Sequence, residues 1–297
     1  DSSTSRGLGD VYKRQVVHYA MPIGIHIKQR RVSNAYVTTQ QNYKNIMITN
    51  KLNWQQGNAK LPKRIIHFSL ASGHSCPAAK ECLSKADPIT GKITDGPDTI
   101  YRCFAATMEA RHSAVRRNRN INFNILRKCT SKQMFTKLHA SLQPLHDKYI
   151  KNHDQRPIIR SHIGGDFFNK SYFLAWMRLA NEFKPTQFYA YTKRIDLWLQ
   201  NLDQIPSNFE LNASRGGRFD HLIDEHNLKS AEVVYSYEEA ERKKLELDHD
   251  DSHAYLPGKS FGQLIHGTQP AGSDASKALR NLSKNHGYTG YSAAKSV

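Results

Sequence analysis

Apolar and polar positions change period along the chain, from every second residue to every third or fourth. Short β-branched and aromatic runs predict strands, whereas apolar residues at helical spacing predict helices. The predicted strands are 64–70, 156–163, 186–192, 208–214, 230–237 and 261–267, and the predicted helices are 110–129, 131–152, 169–183, 194–202, 238–245 and 273–285. Strands and helices thus alternate five or six times, which is typical of parallel α/β architecture.

The pattern predicts an α/β fold with about six parallel strands. Right-handed crossovers of this number form a closed or partial barrel, or an open doubly wound sheet. In each arrangement, functional side chains collect at the carboxyl ends of the strands. Because the unusual motifs of the chain follow predicted strands, we expect them to lie along one edge of the sheet.

Composition divides the chain into four segments. Residues 1–20 are predicted to be a non-native or disordered leader, because the first fifteen are Ser/Gly-rich, aperiodic and similar to a junction sequence of translated environmental assemblies. Residues 21–62 are rich in Asn and Gln and predict an irregular N-terminal extension, with Met21 as the expected native start. Residues 63–290 form the predicted single α/β domain, and residues 291–297 a tail.

Hydrophobic content of 38% with 10% aromatic residues indicates a globular domain. No apolar stretch approaches the roughly 18 residues that a membrane span needs, and no signal-peptide pattern is visible. We therefore expect a cytoplasmic protein without a membrane partner, whose four cysteines stay reduced.

The net charge of +17 is unevenly distributed. Residues 1–152 hold 25 Lys and Arg against 8 acidic residues, whereas residues 153–297 hold 18 of each. This asymmetry predicts a nucleic-acid or nucleotide partner for the basic N-terminal half, the alternative being a solvated helix face. The candidate contacts lie in a segment without acids and are Arg111, Arg116, Arg117, Arg119, Arg127 and Lys128.

Three cysteines gather after the first predicted strand. Five residues separate Cys76 from Cys82, and twenty separate Cys82 from Cys103. Structural zinc sites prefer gaps of two to four residues and would need a fourth ligand, Cys129 or His74. An iron–sulfur cluster tolerates looser spacing, and three thiolates leave one iron open for substrate or cofactor. We expect a [4Fe-4S] cluster, with zinc and unliganded thiols as alternatives and Cys129 as a buried free thiol.

Further candidate residues follow the next three predicted strands. Glycines permit positive φ and close approach of a ligand, and a carboxylate accepts hydrogen bonds from an ammonium or hydroxyl group. Ser, Arg and Lys suit a carboxylate or phosphate. The residues are Gly164, Gly165, Asp166, Lys193, Ser214 and Arg215. For each group, an ordinary strand-to-helix turn is the alternative.

The segment DHDDSH concentrates acids and histidines within six residues. Such a set predicts a second metal site or an acid–base pair, which would make the protein a metal-dependent hydrolase or nuclease. A solvated loop is the alternative. The residues concerned are Asp248, His249, Asp250, Asp251 and His253.

Five sequence blocks carry a resemblance to a known family. They are HSCPAAKEC with RCFAA, RSHIGGDFFNKSYFLAWM, FYAYTKR, NASRGGR and LIHGTQPAGS. Together they resemble the phage gene product 88 family over about residues 61–290. Members are encoded by phages and related mobile elements, which implies the cytoplasm of a phage-infected bacterial host.

The order of the motifs also resembles, more distantly, the radical SAM enzymes. Those enzymes carry a three-cysteine cluster loop after the first strand of a partial (β/α) barrel and a Gly-Gly-acid motif after the second. The resemblance implies that Gly164, Gly165 and Asp166 meet the amino group of S-adenosylmethionine, and that Ser214 and Arg215 contact its ribose or carboxylate. The cysteine spacing departs from that family's three and then two residues.

The leading hypothesis is therefore an iron–sulfur, radical-SAM-like enzyme acting on a nucleic-acid or nucleotide substrate. One alternative is a non-enzymatic phage nucleic-acid-binding protein stapled by zinc or a cluster. The other is the metal-dependent hydrolase or nuclease described above.

Overall fold

The computed structural model describes residues 51–290. The predicted leader, most of the predicted N-terminal extension and the predicted tail lie outside these residues. The strands are β1 (Gln55–Gln56), β2 (Ile65–His67), β3 (Ser84–Ala86), β4 (Ile93–Asp95), β5 (Ile158–Arg160), β6 (Gln187–Thr192), β7 (Phe209–Ser214), β8 (Ser230–Val234), β9 (Glu246–Leu247) and β10 (Phe261–Leu264).

From β5 onward the helices alternate with the strands, whereas three helices lie between β4 and β5. They are α1 (Phe104–Arg111), α2 (Ser113–Leu126), α3 (Ser131–Asn152), α4 (Lys170–Glu182), α5 (Ile195–Leu199), α6 (Asp220–Glu225), α7 (Tyr237–Arg242), α8 (Ser252–Tyr255) and α9 (Asp274–His286). A 3₁₀ turn spans Leu202–Gln204. None of the helices in the described range is long and apolar enough to cross a membrane.

One mostly parallel sheet organises the fold. Its eight strands lie in the order β1-β2-β5-β6-β7-β8-β10-β9, and β3 and β4 form a separate hairpin. Only β1 runs antiparallel to its neighbour; all other adjacent pairs in the large sheet are parallel. The α/β prediction is confirmed, and the six predicted strands all occur. Along β2, β5, β6, β7, β8 and β10 spatial order follows chain order, so these crossovers step in one direction along the sheet, whereas β9 lies at the edge beyond β10.

Both faces of the sheet carry buried apolar residues. Neighbouring residues of one strand point to opposite faces, so Ile159 joins the larger core and Ile158 the smaller one. The larger core contains Phe68, Phe188 and Trp176 of α4, and the ring centres of Phe68 and Trp176 lie 5.9 Å apart. These apolar layers fix where each strand ends and thus where the motifs after the strands lie.

The predicted helix over 110–129 corresponds to α2, and the structure has a further helix, α1, directly before it. His112 has an extended backbone, with φ −118° and ψ 102°, and separates α1 from α2. α1 begins directly after Cys103. The other helix starts follow local rules: Thr130 and Gln133 form a capping box at α3, and Asn169 caps α4.

Candidate functional site

A cavity lies at the carboxyl ends of β5, β6 and β7. The cavity has a volume of about 130 Å³. One bound water needs roughly 15 Å³ on the same measure. Its wall brings together eight of the nine residues predicted to bind a cluster or cofactor: Cys76, Cys82, Cys103, Gly164, Gly165, Asp166, Lys193 and Ser214. A small molecule or cofactor fragment can therefore meet all these groups at once.

The three thiols share one electrostatic environment. Burial raises the pKa of Cys76 well above its usual value, and the nearby carboxylate of Asp166 raises it further. Burial also raises the pKa of Cys103 to about 11, with Cys82 adding to the effect. The backbone N–H of Gly73 donates to Cys76 Sγ at 3.3 Å. At neutral pH the thiols of Cys76 and Cys103 are therefore protonated in the metal-free chain.

The three thiols line one cavity, but they are not arranged as metal ligands. Within residues 51–290, no three His, Cys, Asp or Glu side chains are arranged to hold a metal ion as they stand. Cys129 is apart from the other thiols: it packs against the larger core, and its Sγ donates to the carbonyl of Ile125 at 3.2 Å.

The segment 71–103, here called the cysteine loop, crosses the carboxyl end of the sheet. The N–H of Glu81 donates to Gly216 O at 3.0 Å, and the N–H of Arg218 donates to Ala78 O at 2.9 Å. These bonds fasten the loop to the turn after β7. The loop is thereby held over the cavity instead of extending into solvent.

A second fastening lies at the end of the cysteine loop. The N–H of Arg102 donates to Gln269 Oε1 at 2.7 Å, and Gln269 Nε2 donates back to Arg102 O at 3.1 Å. Gln269 follows β10, so this pair connects the residue before Cys103 to the far side of the sheet. The two hydrogen bonds between Arg102 and Gln269 hold the start of α1 in place.

The two glycines after β5 pack against the cysteine loop. A Cβ on Gly165, whose φ is +91°, would lie 2.6 Å from Ser75 Oγ. A Cβ on Gly164 would lie 2.7 Å from Ser72 Oγ. Any side chain at either position would thus collide with the loop that carries Cys76. The two glycines therefore allow the cysteine loop of the protein itself to pack closely against the turn after β5.

Asp166 connects the turn after β5 to the end of β6. Its buried carboxylate accepts hydrogen bonds from Thr192 Oγ1 at 2.7 Å, from the N–H of Lys193 at 2.9 Å and from the N–H of Phe167 at 2.7 Å. Burial raises the pKa of Asp166, while these hydrogen bonds oppose the shift. Asp166 is the one acidic residue in the cavity wall within the described part of the chain.

Lys193 spans the adjacent strand end. Its Nζ donates to Ser214 O at 2.9 Å, to Ser214 Oγ at 3.1 Å and to Arg215 O. Arg215 itself is the ninth predicted residue and is absent from the cavity wall. Its guanidinium is paired with Asp224 and donates to Ser230 Oγ at 3.3 Å.

The DHDDSH segment forms a buried ion-pair network. Lys60 Nζ lies 3.2 Å from Asp248 Oδ2 and 2.9 Å from Asp251 Oδ1, and Asp251 is also paired with Arg160. Burial alone would raise the pKa of Asp251, but Arg160 and Lys60 lower it to about 2. Two protein cations thus balance the two buried carboxylates.

The remaining members of that segment lie at the edge of the network. His253 Nδ1 is 3.3 Å from Asp248 Oδ1, and its Nε2 is 3.1 Å from Glu246 Oε2. Asp250 accepts from the N–H of Ser252 at 3.0 Å, and His249 is exposed. The segment therefore divides into buried residues with ionic partners and others that face solvent.

A family profile described as Gene product 88 matches residues 37–283, most of the 297-residue chain. The chain belongs to this family. It is also similar to the Gene 88 protein of Mycobacterium phage D29, with 27% identity over 124 residues, or 41% of this chain and 43% of that protein. The match spans less than half of that relative. No solved structure matches the chain.

Membership confirms the resemblance to the phage gene product 88 family, whereas the likeness to radical SAM enzymes stays a prediction. Four of the six basic residues proposed for nucleic-acid contact are exposed in this gene product 88 protein: Arg111, Arg117, Arg127 and Lys128. Arg116 and Arg119 are buried. Arg116 donates to the carbonyls of Glu109 and Ile89, so its guanidinium serves the interior.

Sequence reasoning missed several cavity residues of this family member. Arg160, Tyr191 and Gln263 lie on the cavity side of β5, β6 and β10, and His266 follows β10. The guanidinium of Arg160 lies 4.8 Å from the ring centre of Tyr191. Strand alternation alone places Arg160 and Ile158 on the same face, which was the available signal.

Proposed function

We propose that this gene product 88 protein is an iron–sulfur protein whose cluster is held by Cys76, Cys82 and Cys103. One observation carries the proposal: three thiols that are far apart in sequence line the same cavity. Cysteine thiolates are the ligands that iron–sulfur clusters require, and three of them would leave one iron open. The donor chemistry of the wall fits a [4Fe-4S] cluster, with zinc as the alternative metal.

The raised pKa values of the thiols make cluster binding depend on pH. Because burial raises the pKa of Cys76 and of Cys103, cluster binding must displace protons from both. Cluster assembly should accordingly be favoured as pH rises through the neutral range. The charge of the bound metal would then offset the cost of burying the thiolates.

We further propose a radical-SAM-like enzyme, in which β2 to β10 form a partial (β/α) barrel. The sequential strand order supports this geometry, because crossovers of one hand that step in one direction place their helices on one face. When bound, the cluster and S-adenosylmethionine would supply the radical chemistry. The chain would contribute Asp166 for the amino group, Lys193 for a carboxylate, and a cavity that limits water access.

The exposed basic residues on α1, on α2 and directly after α2 suggest the substrate class. Arg111, Arg117, Arg127 and Lys128 are solvent-exposed, and the N-terminal half carries the excess positive charge. We propose that they contact a nucleic-acid or nucleotide substrate in the cytoplasm of a phage-infected bacterium. The same surface supports a second candidate, a nucleic-acid-binding protein without catalytic activity, whose binding would weaken steeply with salt.

Anaerobic purification followed by iron, sulfide and zinc analysis tests the proposed function. We expect about four irons and four sulfides per chain with visible absorption. Alanine at Cys76, Cys82 or Cys103 should abolish the absorption, whereas the matched control Cys129→Ala should retain it. One zinc per chain without iron would overturn the iron–sulfur proposal and favour the binding protein.

A further inference from the structure

A buried ion pair lies directly behind the cavity wall. Glu109 of α1 is 0% exposed, and Arg119 of α2 is 7% exposed. Arg119 donates from one terminal nitrogen to Glu109 Oε1 at 2.9 Å. The same carboxylate oxygen accepts from the N–H of Ser72 at 2.9 Å and from Ser72 Oγ at 2.6 Å.

These bonds join the two chain segments that carry Cys76 and Cys103. Ser72 begins the turn that leads to Cys76, and the N–H of Ser75 donates back to Ala71 O at 3.0 Å. On the other side, the guanidinium of Arg119 also donates to Ala105 O at 2.9 Å. Ala105 lies in the first turn of α1, two residues after Cys103.

The glycine turn packs against the same pair. A Cβ on Gly164 would lie 2.8 Å from the Arg119 terminal nitrogen, 2.7 Å from Ser72 Oγ and 3.0 Å from Ala105 Cβ. The absence of a side chain at this position is what lets both loop segments and the guanidinium meet. The pair therefore ties the cysteine loop, α1 and the turn after β5 together at one point.

The Glu109–Arg119 ion pair is better explained by the placement of the segments that it joins than by a gain in folding stability. Burying two opposite charges costs desolvation that their attraction roughly repays, so apolar residues of similar size would often stabilise a fold as well. Directional bonds, in contrast, define one relative placement of the groups they join. A buried pair with bonds to both thiol-bearing segments suits that role.

We propose that Glu109 and Arg119 are positioning residues that set the placement of Cys76 relative to Cys103 across the cavity. The biological meaning of this placement rests on the proposed metal-binding function. The placement itself is a property of the metal-free chain, because none of the bonds described involves a ligand. It can therefore be measured without a cluster.

The test is thiol cross-linking in the reduced, metal-free full chain. A short bis-maleimide is added at mildly alkaline pH, and mass spectrometry of the digested protein quantifies the Cys76–Cys103 bridge. We expect Glu109→Gln to lower this bridge several-fold, because the amide replaces the carboxylate that Ser72 and Arg119 share. The reaction of Cys129 in the same sample serves as the internal reference.

Asp251→Asn is the matched control variant. It also removes one carboxylate charge from a buried Arg pair, but it makes no contact with the segments that carry the thiols. We expect the Cys76–Cys103 bridge to persist in Asp251→Asn. An equal loss in both variants, or an unchanged bridge in Glu109→Gln, would overturn the proposal.

Arg119→Lys provides a second variant should Glu109→Gln fold poorly. A lysine keeps the charge, but its compact ammonium does not reproduce the guanidinium that reaches Ala105 O and Glu109 together. A lowered bridge in a folded Arg119→Lys protein supports the inference, and an unchanged one overturns it. Metal analysis of the wild-type chain is independent, so a sensitive bridge without bound metal would sink only the proposed function.

Discussion

At the scale of single residues, the glycine pair after β5 shows how one pattern serves two demands. Sequence reasoning assigned Gly164 and Gly165 to a ligand, and both do line the cavity. The structure adds that their missing side chains admit Ser72 and Ser75 of the cysteine loop. A glycine that a ligand would require is thus also required by the fold, because loop and ligand occupy the two sides of one turn.

Gly165→Ala should destabilise the protein by about 2 kcal/mol or more, because the new Cβ meets Ser75 and Leu70 and the residue has positive φ. The matched control is Gly258→Ala, where a Cβ meets nothing within 4 Å. Urea unfolding of both variants measures the difference. Equal stability of the two variants would show that the close approach at Gly165 is not required.

At the scale of elements, the short helix α8 packs on the face of the sheet that carries the smaller core, through charge as well as apolar contact. Ala254 joins the smaller core, and Asp251, just before the helix, accepts from Tyr189 Oη at 2.8 Å. Lys60 and Arg160 approach the same carboxylate from two other segments. The acidic segment that suggested hydrolysis therefore has an evident role in holding elements together.

Asp251→Ala should lower the free energy of unfolding by about 3–5 kcal/mol, because it leaves buried cations without their counter-charge. Asp250→Ala should cost less than about 1 kcal/mol, since its carboxylate is only partly buried. Chemical denaturation of the two neighbouring variants gives the comparison. A hydrolase that used both acids would instead lose activity in both variants while Asp251→Ala stayed stable.

At the scale of the whole molecule, buried histidines connect stability to pH. Burial lowers the pKa of His67 to about 4 and the pKa of His162 to about 3. Unfolded histidine binds a proton near pH 6.5. The unfolded chain therefore gains protons first as pH falls, so the stability that is complete above about pH 6.5 is lost progressively toward pH 3 to 4.

Guanidinium unfolding should show lower stability at pH 5 than at pH 7, by up to about 2 kcal/mol for each of these histidines. His67→Gln should reduce the difference, because glutamine does not titrate. A protein that is equally stable at both pH values would contradict the burial of neutral His67 and His162.

The basic N-terminal half illustrates what charge counting can and cannot decide. The count correctly directs attention to α2, where Arg117 is exposed. It does not distinguish Arg117 from Arg116 and Arg119, which differ only in the side of the helix that they occupy. The side of α2 that faces the cysteine loop depends on how that loop crosses the sheet. No short sequence pattern predicts that crossing.

The sequence by itself determined the alternation of strands and helices, the family and the positions of Cys76, Cys82, Cys103 and Asp166 at strand ends, because periodicity and spacing are local properties. Tertiary structure decided that Arg215 pairs with Asp224 outside the cavity wall and that Glu109 joins two distant segments. These outcomes depend on contacts between residues far apart in the chain. Such contacts follow from the packing of loops and faces, which no short stretch of sequence specifies.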